Sequence, residues 1–249
     1  MSPNARSSAR NIAERRQLRW RSLLDFVDRH QQSSWIFRGV ADASSHKLLP
    51  KIGRDLSVYD SVKERVIFAN FRRRARQFID VSGVSEWDLL ALAQHHGLPT
   101  RLLDWSTNPL VAAYFAVTSE PTNTPARVYA ARAPQLADAS RIPSPLACNE
   151  VLSFLPSSVT PRIVAQRGLF TVHPDPTSEW DRGLRTGRTG GVPFNPSYFD
   201  IPAEDRPAIE QKLFQFAIDA SAIMADLDGL CRTLTWQFQR NIAVGVFNY

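Results

Sequence analysis

Between two apolar runs, the segment AQHHGLPTRLLDWSTNP (residues 93–109) gathers imidazoles, hydroxyls, a guanidinium and a carboxylate. Such groups close together can hold an anion and move a proton. His95 or His96 could serve as acid, base or donor. Adjacent side chains point in different directions, so at most one is expected to enter a site, and capping a helix end is the plainer role. If residues 100–105 form a strand, side chains alternate between its faces. Arg101, Leu103 and Trp105 then share one face, and Thr100, Leu102, Asp104 and Ser106 the other. Asp104 and Ser106 can therefore act together at the strand end, beside a helix N-terminus that favours anions. Ser106, Thr107 and Asn108 can equally cap a helix that begins at Pro109.

A second candidate stands upstream, where the aromatic run WIFRG (35–39) ends on Arg38 and Gly39. A guanidinium is a planar, permanently charged fork for phosphate or carboxylate, and glycine lets backbone or ligand approach closely. The competing role for Arg38 is a buried ion pair, with Asp104 as the natural partner. Metal chemistry is not expected: there is no HxxxH pair or carboxylate triad at ligand spacing. The two cysteines, Cys148 and Cys231, form no CxxC, which argues against a zinc site or a disulfide framework and suits a reducing compartment.

The elements that must carry these residues follow from periodicity. Helices are expected at 11–29, 57–80, 86–94, 109–117, 204–217 and 225–238, and strands at 35–39, 100–105, 127–132 and 168–173. In the second helix Ile67, Phe71, Ala75 and Phe78 should form the buried stripe, with Arg72, Arg73 and Arg76 turned away. Ser85 caps the third, and Gly97 with Pro99 ends it. Residues 174–205, rich in proline and glycine, read as a long irregular excursion. Strands separated by helices and irregular joints imply one mixed α+β domain, a small sheet flanked by helices. A doubly wound nucleotide fold is disfavoured, since no GxGxxG or Walker sequence follows a strand. The expected divisions are a basic N-terminal helix (1–30), the main domain (31–240) and a tail (241–249).

The net charge is +6 and the sequence pI about 9.7. The excess sits in two clusters, Arg6, Arg10, Arg15, Arg16, Arg19 and Arg21, and then Arg72, Arg73, Arg74 and Arg76. These are either solvated helix faces or surfaces for nucleic acid or a phosphorylated ligand. No apolar run is long enough to span a membrane, and the first 20 residues hold no signal-peptide core. A soluble, cytoplasmic protein without a membrane partner is expected.

Four segments together, WIFRGVAD (35–42), LLALAQHHGLPTRLLDWSTNPLVAAYFAV (89–117), PRIVAQRGLFTVHP (161–174) and MADLDGL (224–230), resemble the FRG domain, a bacterial and phage family named for its Phe-Arg-Gly motif. The resemblance spans about 35–240, includes Arg162 and Gln166, and departs at Ala225, where a proline is expected. The motif order is also similar to that of ADP-ribosyltransferases: an early Arg that grips NAD, a Ser/Thr strand that braces a ribose, and a late catalytic residue. Gln166 stands third, where those enzymes place a glutamate, and an amide does not ionise.

The resemblance implies an enzyme acting on NAD or a related nucleotide, by ADP-ribosyl transfer or glycohydrolysis, in phage defence or a toxin system. Its catalytic set would be His95, Asp104 and Gln166. Arg38, Gly39, Thr100, Arg101, Ser106 and Thr107 would line the ligand, with no metal. The alternative is a non-catalytic nucleic-acid-binding module using the basic clusters and exposed aromatics such as Trp87 or Trp180.

Overall fold

The structure is a computed structural model that describes residues 3–157, 161–180 and 195–242. It is mixed α+β, built on one six-stranded antiparallel sheet. The strands are β1 (Trp35–Val40), β2 (Leu102–Ser106), β3 (Ala126–Arg132), β4 (Leu152–Phe154), β5 (Gly168–Val172) and β6 (Ser197–Ile201), in the spatial order β4-β5-β2-β1-β3-β6. The helices are α1 (Pro3–Asp28), α2 (Ser61–Ala75), α3 (Glu86–His95), α4 (Pro109–Thr118), α5 (Pro161–Ala165), α6 (Arg206–Gln215), α7 (Ala220–Met224) and α8 (Leu227–Gln239). None of the described helices is long and apolar enough to cross a membrane.

The apolar pattern of the strands sets the layers. Phe37, Val128 and Ala130 pack with α4, α6, α7 and α1, whose Trp20, Leu23 and Phe26 are buried there. On β1 and β3 the alternate residues Ile36, Val40, Tyr129 and Ala131 face a second cluster with Trp105 and Trp180. A third cluster joins α2, α3, β4 and β5 through Phe68, Trp87, Leu90 and Phe170.

Gly39 is where α4 meets the sheet. A Cβ there would stand 1.9 Å from the Ala112 carbonyl oxygen and 2.6 Å from the Ala116 nitrogen. Close backbone approach is therefore the demand that this glycine meets.

Several sequence expectations are corrected. Residues 174–205 are not wholly irregular: the described part includes β6, which pairs with β3 from Ala126↔Ile201 to Ala130↔Ser197, while 181–194 lie outside the described residues. Proline and glycine nearby hid the short alternation SYFDI. Helix α2 begins at Ser61, because Asp60 accepts from the amides of Val62 and Lys63. Its buried line is Glu64, Phe68 and Ala75; of the predicted stripe, Ala75 is buried and Phe71 packs against the core, while Ile67 is 39% and Phe78 84% exposed. Glu64 joins the buried face, where its carboxylate pairs with the buried Arg101. Trp87 and Trp180, expected at the surface, are 1% and 2% exposed. Part of the N-terminal basic cluster is structural, as Arg15 and Arg19 both reach the buried Asp205, at 3.1 and 3.4 Å.

Candidate functional site

β1 and β2 meet at a single register pair, Phe37↔Ser106. Antiparallel pairing continued from there would set Gly39 opposite Asp104, but the ladder stops and the sheet opens. Arg38 bridges the gap. Its Nη1 donates to the Asp104 carbonyl oxygen at 2.6 Å and reaches the Asp104 carboxylate at 3.3 Å. The cleft in this opening has a volume of about 390 Å³.

Four elements furnish the cleft. β1 and β2 supply Arg38 and Asp104. The end of α3 supplies Gln94 and His95. The turn after residue 50, a 3-10 helix at Lys51–Gly53, supplies Lys51 and Arg54. Gln166, in the turn before β5, closes one side, and Phe37, Leu98, Phe115, Ile163 and Phe170 give it apolar walls.

The polar groups form a chain. The Thr100 hydroxyl donates to Gln94 Oε1, Gln94 Nε2 donates to Asp104 Oδ1, and Asp104 Oδ2 receives Arg38. Both ends of the Gln94 amide are thus used to orient Asp104, whose side chain is still 61% exposed. The carboxylate is aimed and wet at once.

Arg54 is crowded by burial and by a second cation. Arg54 donates through Nε to the Leu49 carbonyl at 3.2 Å. Burial first, and then the like charge of Arg38, hold its guanidinium below the ordinary arginine range. Arg38 Nε is buried and has no hydrogen-bond partner among the described residues. Lys51 reaches the Gly97 carbonyl at 3.4 Å. Three cationic side chains thus line a cleft with one carboxylate, an arrangement that an anionic ligand would relieve.

The structure brings together Arg38, Gly39, His95, Asp104, Ser106 and Gln166 of the residues expected from sequence. His96 does not line the cleft, and its ring packs edge-on against His95 with centroids 5.0 Å apart. The Ser106 hydroxyl is already committed: it donates to the Gln166 carbonyl at 2.7 Å and accepts from the Asn108 amide at 3.0 Å. Asn108 in turn caps α4 by accepting from Leu110 N, so the helix start is closed by its own side chain.

Thr100, Arg101 and Thr107 do not line the cleft. Thr100 is buried in the Gln94 contact, and the exposed Thr107 donates its amide to the Arg167 carbonyl at 3.1 Å. Arg101 is sealed in a bidentate pair with Glu64, both bonds 2.7 Å. Although burial lowers its pKa, the Glu64 hydrogen bonds and charge outweigh that and hold it above the ordinary value. The Arg162 side chain lies outside the described residues.

Lys51, Arg54 and Gln94 were not singled out from sequence. Gln94 lay inside the polar motif and could have been found there. Lys51 and Arg54 sat in a polar joint with no periodic signal.

One buried imidazole lies behind the site. His173 is 2% exposed, hydrogen-bonded to the Thr171 hydroxyl at 2.9 Å. Burial, then the charges of Arg38 and Arg101, push its pKa down to about 3, so it is neutral. Among the described residues no group of three or more His, Cys, Asp or Glu could hold a metal ion.

Fold and cleft define a mixed α+β protein with a basic, apolar-walled site at a split in its sheet. The chain carries an FRG domain: the model of that family matches residues 33–124. The match includes β1, α2, α3, β2 and α4, hence Arg38, Lys51, Arg54, Gln94, His95 and Asp104, and it leaves Gln166 outside. No curated protein and no solved structure matches the chain.

Proposed function

We propose that the cleft binds a phosphorylated nucleoside, with NAD as the leading candidate, and acts at its N-glycosidic bond. The observation that carries this reading is the convergence of Arg38, Lys51 and Arg54 with one aimed carboxylate, Asp104, between apolar walls. The cations suit a diphosphate, and Phe37, Phe115 and Phe170 suit a base or a nicotinamide ring.

When the bond between the ribose C1′ and the base nitrogen breaks, the electron pair leaves with the base and positive charge develops on the ribose. Asp104, oriented by Gln94, can stabilise that charge. Water or an acceptor hydroxyl or amine then bonds to C1′ and gives up its proton, with His95 as the acceptor group within the cleft. Gln166, held by Ser106, would orient the nucleophile. Ser106 acts in this scheme through Gln166 rather than on the ribose, because its hydroxyl is occupied. Consumption of a shared cofactor is chemistry that a toxin or phage-defence system can use.

Two assays test the reading. NAD and a panel of nucleotides should raise the melting temperature, in proportion to affinity, and Arg38→Lys should weaken the response without unfolding the chain. Incubation with NAD should release nicotinamide, and Asp104→Asn should abolish release. A chain that melts identically with and without every nucleotide at millimolar concentration would refute the proposal. The nucleic-acid alternative loses the two stacking platforms named for it, as Trp87 and Trp180 are buried.

A further inference from the structure

The outer face of α2 and the turns that flank it combine exposed apolar side chains with cations. Among the described residues, seven of the eighteen exposed large apolar side chains fall between Leu56 and Ile79, three of them (Val62, Val66 and Ile67) on α2 itself. Six are aliphatic and one, Phe78, is aromatic. At helical spacing, Val62, Val66 and Arg73 lie on one line opposite the buried Glu64, Phe68 and Ala75. Lys63 and Arg74 flank that line on one side, Arg65 and Arg76 on the other.

Charge on this face has one sign. The one acid of α2, Glu64, is buried against Arg101. Arg72 pairs with Glu86 at 2.6 Å. Lys63, Arg65, Arg73, Arg74 and Arg76 have no ion pair among the described residues. Val62 and Val66 remain 66% and 53% exposed. The inner face is fixed by the Glu64–Arg101 pair and Phe68, so the outer face is presented on a rigid mount.

We propose that this face docks the protein on an anionic lipid surface. Two exposed valines, in line with Arg73 and bordered on both sides by long cationic side chains, match the boundary between acyl chains and phosphate headgroups, where the stems lie along hydrocarbon and the charges reach the headgroups. A nucleic acid would satisfy the cations and find one stacking ring in Phe78, but it would give Val62, Val66, Ile67 and Ile79 nothing to bury against. The proposal revises the expectation of no membrane partner. That expectation rested on the lack of a span, which a helix lying on the surface does not need.

The full chain should co-sediment with vesicles of phosphatidylcholine containing about a third phosphatidylserine and not with phosphatidylcholine alone, and added salt should release it. Arg73→Glu with Arg74→Glu should weaken binding more than tenfold, at roughly fivefold per cation removed. Val62→Ser with Val66→Ser keeps every charge and should also weaken it severalfold. Both sites are exposed, and an unchanged melting temperature shows that the variants fold. Failure of the parent to bind anionic vesicles at low salt overturns the proposal. So does vesicle binding that both variants retain, or tighter binding to a single-stranded oligonucleotide that only the charge reversal weakens.

Discussion

Glu64→Gln is the sharpest test of how the site is mounted. The substitution keeps the shape of residue 64 and one acceptor oxygen, and removes only the charge. Glu64 and Arg101 are 3% and 7% exposed, joined by two bonds of 2.7 Å. Arg101 has one further acceptor, the Pro174 carbonyl at 3.3 Å, so the variant leaves a buried guanidinium without a counter-charge. Breaking a buried pair from one side costs about 3–5 kcal/mol. At about 2–4 °C per kcal/mol for a chain of this size, the melting temperature should fall by about 6–20 °C. Glu64→Leu combined with Arg101→Met removes both charges and should recover most of that loss. Urea denaturation of the parent, Glu64→Leu, Arg101→Met and the double variant closes the cycle, and nucleotide thermal shifts in the same samples report on the cleft. A loss below about 1 kcal/mol for Glu64→Gln would refute the buried-pair argument. Arg101→Met with unchanged stability and lost nucleotide response would make Arg101 a ligand residue after all.

Three further outcomes follow from the same packing. Gly39→Ala forces a methyl against the Ala112 carbonyl, and should cost at least the 1–3 kcal/mol typical of overpacking, read by urea denaturation. A neutral result would mean that α4 does not rest on β1. Ser106→Ala unties the Gln166 carbonyl and the Asn108 amide, and should cost about 1–3 kcal/mol. Nucleotide affinity should then change less than for Arg38→Lys, and the opposite ranking would place the hydroxyl on the ligand. His173 has a folded pKa of about 3 against about 6.5 in an unfolded chain. The unfolded state therefore binds the extra proton in that window, and its stabilising contribution, complete above pH 6.5, is lost as pH falls toward 3. Between pH 6 and 4 the unfolding free energy of His173→Gln should fall less steeply than the parent's, by up to about 1.4 kcal/mol per pH unit. Equal slopes would show that His173 is not buried neutral.

The sequence by itself determined the elements whose signals are local. Apolar runs bounded by capping and turn residues marked α3 and α4, which are buried nearly all round, and short apolar stretches marked β1 and β3. Ser85 and Gly97 bounded α3 because capping and a positive φ are demands of single residues, and Gly97 does adopt φ +93°. The candidate residues Arg38, His95 and Asp104 were legible for a related reason: polar groups that interrupt apolar runs need a partner or a purpose. Tertiary structure alone decided which of them meet. Thr100, Arg101 and Asp104 look alike in sequence, but Glu64, 37 positions upstream of Arg101, withdraws Arg101 from the cleft, and Gln94 takes up Thr100. Lys51 and Arg54 enter from an aperiodic turn, and the opening between β1 and β2 depends on where a ladder stops. Such facts depend on contacts between distant segments, and no window of neighbouring residues contains them.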